Sequence, residues 1–268
     1  MRVCLGQITA DQDPELNLRL VADQATAAAE QGADLLVLPE ATMASFSAAP
    51  RRAAEPEGGP WSQAVAEVAR KAGLTIAVGM FTWPDEPAAN DRTTNDQRVR
   101  NTLLVTDGTE HRSYHKRHLY DAYGFTESRT VAPGDDLLVT EIAGVGVGAA
   151  ICYDLRFSAH FLALADGGAR VIIVAASWAA GPNKADQWRT LARARAMDST
   201  CWVLACGQSA PAQASGPVPL GVGGSLVVDP YGNVVAEAAA SPEQLVVDLD
   251  LGLVDRARDE VPVLANRR

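Results

Sequence analysis

Aromatic residues make up only 6% of this 268-residue chain. Any core must therefore be built largely from Ala, Val and Leu, within a hydrophobic fraction of 47%. Basic residues are also in deficit: 23 Lys and Arg stand against 33 Asp and Glu, a formal net charge of −10. That balance argues against a nucleic-acid partner, and an anionic ligand must be held by a local Arg or Lys against the general field. No stretch approaches the ~18 uninterrupted apolar residues of a membrane span. The opening "MRVCLGQITADQD" reads as a strand, not as a secretory signal. Cys4, Cys152, Cys201 and Cys206 form no CxxC pair and no disulfide-like density. A reducing, cytoplasmic setting is the expectation. No histidine follows His160. This excludes a cysteine nucleophile served by a distant downstream histidine.

What is present is an alternation of strands and helices, interrupted by hairpins. "VCLGQI" is a strand, and Asp13-Pro14 supplies an N-cap and a first-turn proline for a helix ending at Gly32. "ADLLVLPE" is a continuous apolar run, as expected of a strand covered on both faces. The helix "WSQAVAEVARKAG" and the strand "LTIAVGMF" follow. Hairpins are expected around Asp107-Gly108 and near Ala143-Gly144, and the glycines alternating with Val145 and Val147 allow a close approach on one face. Helices over 157–166 and 184–198 alternate with the strands "ARVIIVAAS" and "CWVLACGQ". A last hairpin, "GGSLVVDPYGNVVAEA", and the strand "QLVVDLD" complete the pattern. Loops fall at 44–60, 84–98, 117–134 and 209–221. This order predicts a layered α/β fold with mixed sheets, in one domain over 1–268.

Three polar heads end strands that should be anchored in a sheet: Glu40, Lys116 and Cys152. A thiol attacks carbonyl carbon as the thiolate, so Cys152 needs a proton acceptor. A desolvated Glu40 suits that role, and Lys116 can stabilise the oxyanion that forms. The backbone N–H of Tyr153, next after the cysteine, offers a second donor. Other readings stand beside this one. Cys152 can be a packing residue and Lys116 a solvated one. His118 can be an upstream base, and His111, His115 and His118 can be imagined as a metal cluster.

The segments "LLVLPEAT", "SYHKRHLYD", "GFTES", "ICYDLRF" and "QWRTLARARAMDS" resemble, in order and spacing, the motifs of the nitrilase superfamily of carbon–nitrogen hydrolases. The resemblance runs over nearly the whole chain. It implies a four-layer αββα sandwich with two mixed β-sheets, no metal or organic cofactor, and subunits paired as a homodimer or assembled into a higher homo-oligomer. It places the catalytic set on Glu40, Lys116 and Cys152, with Glu127 positioning the lysine and the substrate. "CYDLRF" is similar to the amidase branch that holds ω-amidases and the amidase acting on deaminated glutathione. That implies a small amide substrate bearing a carboxylate, gripped by Arg156, and ammonia release through a thioester. Hydrolysis of a nitrile or an N-carbamoyl compound, or a non-catalytic binding role, is the alternative. Two positions depart from the branch pattern: Ala180 stands where a threonine is frequent, and Gly224 where a histidine is common. Trp178, Phe46 and Met43 are candidates for the pocket wall, or for core packing.

Overall fold

The computed structural model describes residues 1–84, 97–209 and 221–267. Most of the two expected loops at 84–98 and 209–221 lies outside them. The first half of the chain runs β1 (Arg2–Gln7), α1 (Pro14–Glu30), β2 (Leu35–Val37), α2 (Pro50–Ala53), α3 (Pro60–Ala72), β3 (Thr75–Thr82), β4 (Arg100–Thr106) and β5 (His111–His115). A small antiparallel pair follows, β6 (Asp121–Ala122) and β7 (Phe125–Thr126), within the segment expected to be a plain loop. Then come β8 (Val139–Ile142), β9 (Val145–Ile151), α4 (Ser158–Asp166), β10 (Val171–Ala176), α5 (Lys184–Ser199) and β11 (Trp202–Gly207). β12 (Leu226–Val228), β13 (Val234–Glu237), β14 (Glu243–Asp248) and α6 (Gly252–Glu260) close the chain.

Two six-stranded mixed sheets result, in the orders β14-β1-β2-β3-β4-β5 and β13-β12-β11-β10-β9-β8. Each has a parallel centre, β1-β2-β3 or β9-β10-β11, with antiparallel strands outside it. Period-two patterning explains how the first sheet is covered on both sides. Val3, Leu5, Leu35, Val37, Ala77 and Leu103 point into a core shared with the second sheet. Their neighbours Cys4, Leu36, Ile76, Val78 and Leu104 pack instead with Val21, Ala25, Val65 and Ala69 of α1 and α3. Phe161 and Leu164 of α4 and Trp188, Ala192 and Ala196 of α5 cover the outside of the second sheet. The outcome is the helix–sheet–sheet–helix sandwich expected.

Local chemistry sets the element ends. Asp13 caps α1, its carboxylate accepting from the Glu15 N–H at 2.8 Å. Gly73 ends α3 with φ 68°. Ala143 and Gly144 both take positive φ, 49° and 75°, in a two-residue turn that pairs Ile142 with Val145. The turn at Asp107-Gly108 is longer, because Asp107 accepts from both Thr109 and Glu110 N–H at 2.7 Å. Gly146 meets the backbone of Gly168 so closely that a Cβ has no room, which is the close approach expected on that face of β9. The helix α6 was not expected. Among the described residues, no helix is long and apolar enough to cross a membrane.

Candidate active site

The three strand ends converge. Glu40 follows β2 and Lys116 follows β5, both from the first sheet, while Cys152 follows β9 in the second. Glu40 can sit where it does because β3 carries Gly79: a Cβ there would come within 2.6 Å of Glu40 Cα and of the backbone of Pro39 and Ala41. Cys152 opens a short 3₁₀ turn, Cys152–Arg156, with φ 46°. A left-handed conformation is costly for a residue with a Cβ. It is held by Asp154, which is fully buried. The Asp154 carboxylate accepts from Ile151 N–H (2.9 Å), Tyr114 Oη (2.7 Å) and the His118 backbone N–H (3.0 Å) and pairs with His118 Nδ1 at 2.7 Å. Burial alone would raise its pKa, but these contacts and His160 hold it below the ordinary aspartate value.

Lys116, 2% exposed, is the hub of the site. Its Nζ lies 2.9 Å from Glu40 Oε1 and 2.9 Å from Glu127 Oε2. Asn101, on β4, donates its Nδ2 to both carboxylates, at 2.8 Å to Glu40 and 3.1 Å to Glu127. Glu40 Oε2 accepts from the Ser177 N–H at 2.7 Å, and Glu127 Oε2 from the Tyr120 N–H at 2.7 Å. These neighbours are all donors, as ionised carboxylates require. Burial disfavours the Lys116 ammonium, but Glu127 and Glu40 outweigh it and hold its pKa well above the usual lysine range. Burial, and then Glu40, push the Cys152 thiol well above its ordinary value against the opposing pull of Lys116. The resting site therefore holds a neutral thiol, one ammonium and two carboxylates. A thiolate arises only by transferring its proton, and Glu40 is placed to take it.

These groups open onto a cavity of about 220 Å³. Glu40, Lys116, Cys152 and Glu127 line it, as do Tyr153, Trp178 and Phe46. Met43 instead packs between the first sheet and its helices. Arg156 is not among the lining residues. Its guanidinium donates to Gln187 Oε1 at 2.7 Å and lies 5.2 Å from the Trp178 ring centroid. His118 is paired to Asp154 and stacked on Phe157, with centroids 3.7 Å apart, so its role is to hold the turn. The three histidines do not converge as metal ligands: His111 pairs with Thr106, and His115 with Thr102 and Glu57. Among the described residues no group of His, Cys, Asp and Glu could hold a metal.

Sequence reasoning missed Asn101, Asp154 and Lys184. Asn101 reads as the polar start of a strand, yet it is fully buried. Asp154 stood in plain view inside "CYDLRF". Lys184 lines the cavity at the first position of α5, where a cation opposes the helix dipole, a local conflict that was a usable signal.

Comparison with known proteins agrees with this geometry. The carbon–nitrogen hydrolase family model matches residues 2–259. A hydrolase of Mycobacterium tuberculosis is 48% identical over 277 residues, covering 100% of this chain and 95% of that protein. The deaminated glutathione amidase of Escherichia coli O157:H7 is 32% identical over 274 residues, covering 100% and 97%. A solved glutamate-to-glutamine mutant of the amidase from Nesterenkonia sp. AN1 superposes with TM-score 0.81 at 27% identity, covering 100% of this chain and 94% of that one. It carries the acetamide moiety of fluoroacetamide covalently on its active-site cysteine. With its two-sheet sandwich and its buried Glu40–Lys116–Cys152 set, the chain belongs to the carbon–nitrogen hydrolase family of the nitrilase superfamily.

Proposed function

We propose that the protein hydrolyses the linear amide of a small, carboxylate-bearing molecule, releasing ammonia by way of a thioester on Cys152. One observation carries the reading: Cys152, Glu40, Lys116 and Glu127 meet at the wall of a single cavity. In the first step Glu40 accepts the thiol proton as Sγ bonds to the amide carbon. The oxyanion is met by Lys116 Nζ and by the Tyr153 N–H at the start of the 3₁₀ turn. Glu40 passes its proton to the nitrogen, the C–N bond breaks and ammonia leaves. Water, deprotonated by Glu40, then attacks the thioester, and the departing sulfur recovers the proton. Glu127, joined to both Lys116 and Asn101, keeps the ammonium in place throughout.

The relatives named for deaminated glutathione support an acidic amide as substrate. The reading extends to a homodimer in the cytoplasm, on the sequence resemblance and the sparse cysteines respectively. An ammonia-release comparison tests the substrate class. It sets deaminated glutathione, α-ketoglutaramate and succinamate against simple aliphatic amides, N-carbamoyl amino acids and nitriles. The expected order puts the carboxylate-bearing amides first, by ~10-fold or more in kcat/KM over neutral amides. Faster turnover of nitriles or N-carbamoyl amino acids than of any amide would overturn it.

A further inference from the structure

The cavity holds a second lysine that the chemistry above leaves unused. Lys184, 7% exposed, is among the lining residues. Its Nζ donates to Tyr120 Oη at 3.1 Å. It lies 4.2 Å from the Tyr123 ring centroid, 5.3 Å from that of Tyr120 and 5.6 Å from that of Trp178. Its backbone is fixed too, because the Lys184 carbonyl accepts from Trp178 Nε1 at 2.9 Å. Yet among the described residues no carboxylate pairs with it. Lys116, by contrast, is paired with two. A buried ammonium with only a hydroxyl and ring faces around it is incompletely compensated.

The charge balance gives the arrangement a purpose. Glu40 and Glu127 against Lys116 leave the reacting end of the cavity with one net negative charge. An anionic substrate entering there meets repulsion unless a second cation receives it. Lys184 is that cation, and it brings the cavity to neutrality before the substrate binds. Arg156 instead donates to Gln187 and stands behind Trp178 and Tyr153, outside the residues that line the cavity.

We propose that Lys184, assisted by the Tyr120 hydroxyl, receives the anionic group of the substrate and so selects amides that carry a carboxylate away from the scissile bond. The proposal rests on the amidase reading for its substrate and replaces Arg156 as the direct carboxylate contact. Arg156 then acts at a distance, holding Gln187 of α5 and the Trp178 side of the cavity.

The test compares kcat/KM for the linear ω-amide acids succinamate, glutaramate and adipamate with butanamide, pentanamide and hexanamide. The anionic-to-neutral ratio is the readout. Lys184→Met is expected to lower it ~30-fold or more, with partial recovery in Lys184→Arg, because a buried charge contact is lost. Arg156→Ala is expected to change the ratio by less than ~3-fold, as befits a residue without a substrate contact. An unchanged ratio in Lys184→Met, or a collapse in Arg156→Ala alone, overturns the assignment.

Calorimetry separates this from the amidase reading. Succinamate, glutaramate and adipamate are titrated into Cys152→Ala and into Cys152→Ala/Lys184→Met. At least one should bind Cys152→Ala, and the double variant should hold it ~10-fold or more weaker. Equal binding by both proteins, or no carboxylate binding at all, ends the proposal whether or not any amide is turned over. If the wild-type protein releases no ammonia while the binding difference stands, the amidase reading fails and the Lys184 site remains.

Discussion

Cys152→Ala is expected to lose ~10⁴-fold or more in kcat/KM, because removing a nucleophile removes the covalent route and leaves only binding and the remaining polarising groups. The fold should survive. Alanine fits the same space, and the left-handed backbone at position 152 is imposed by the Asp154 contacts, which do not involve the cysteine side chain. The variant should therefore keep the wild-type circular-dichroism spectrum and melt within a few degrees of it. A Cys152→Ala protein that keeps full activity contradicts the nucleophile assignment. One that loses activity together with its structure would instead show that the thiol is a packing element.

Lys116→Met should have the second-largest effect, and on two quantities at once. Methionine fills much of the space but leaves Glu40 and Glu127 facing each other, buried, with only Asn101 and two backbone N–H groups to offset their charge. Removing one partner of a buried ion pair costs ~3–5 kcal/mol. The pH dependence has a definite sign. The folded-state pKa of Lys116 lies above that of a free lysine. Its contribution is thus fully present below the ordinary lysine pKa and is lost only as pH rises through the raised folded value. The destabilisation should therefore be seen undiminished at neutral pH by urea denaturation. Activity should fall ~10³-fold or more, since an oxyanion donor is lost. Wild-type stability combined with wild-type turnover would show that Lys116 is a bystander.

The sequence made Glu40, Lys116 and Cys152 visible for a simple reason. Each is a polar head directly after a segment whose apolar pattern anchors it in a sheet, so the backbone alone brings it to a layer edge. The sandwich was legible on the same grounds: continuous apolar runs for central strands, hairpin signals for the antiparallel edges, and proline or glycine at helix ends. What escaped depends on packing between distant segments. Asn101 becomes a bridge between two carboxylates only because the 117–134 segment folds back and delivers Glu127 to β4. Arg156 has the right place in the chain to face a substrate, yet its guanidinium finds Gln187, 31 residues away. Lys184 looks like an ordinary first-turn residue until Trp178, Tyr120 and Tyr123 are packed around it. α6 is hard to read in the sequence because "LGLVDRARDE" is short and heavily charged, although Val254 and Ala257 give it a buried face.

The central claim is that Cys152 carries the acyl group. It is tested most directly by peptide mass spectrometry of the wild-type enzyme, quenched in acid during turnover of its best amide substrate. The Cys152 peptide is expected to gain the mass of the substrate less ammonia, with Cys4, Cys201 and Cys206 unmodified. An acyl group found on any other residue, or an unmodified Cys152 in an enzyme that is demonstrably acylated, contradicts it.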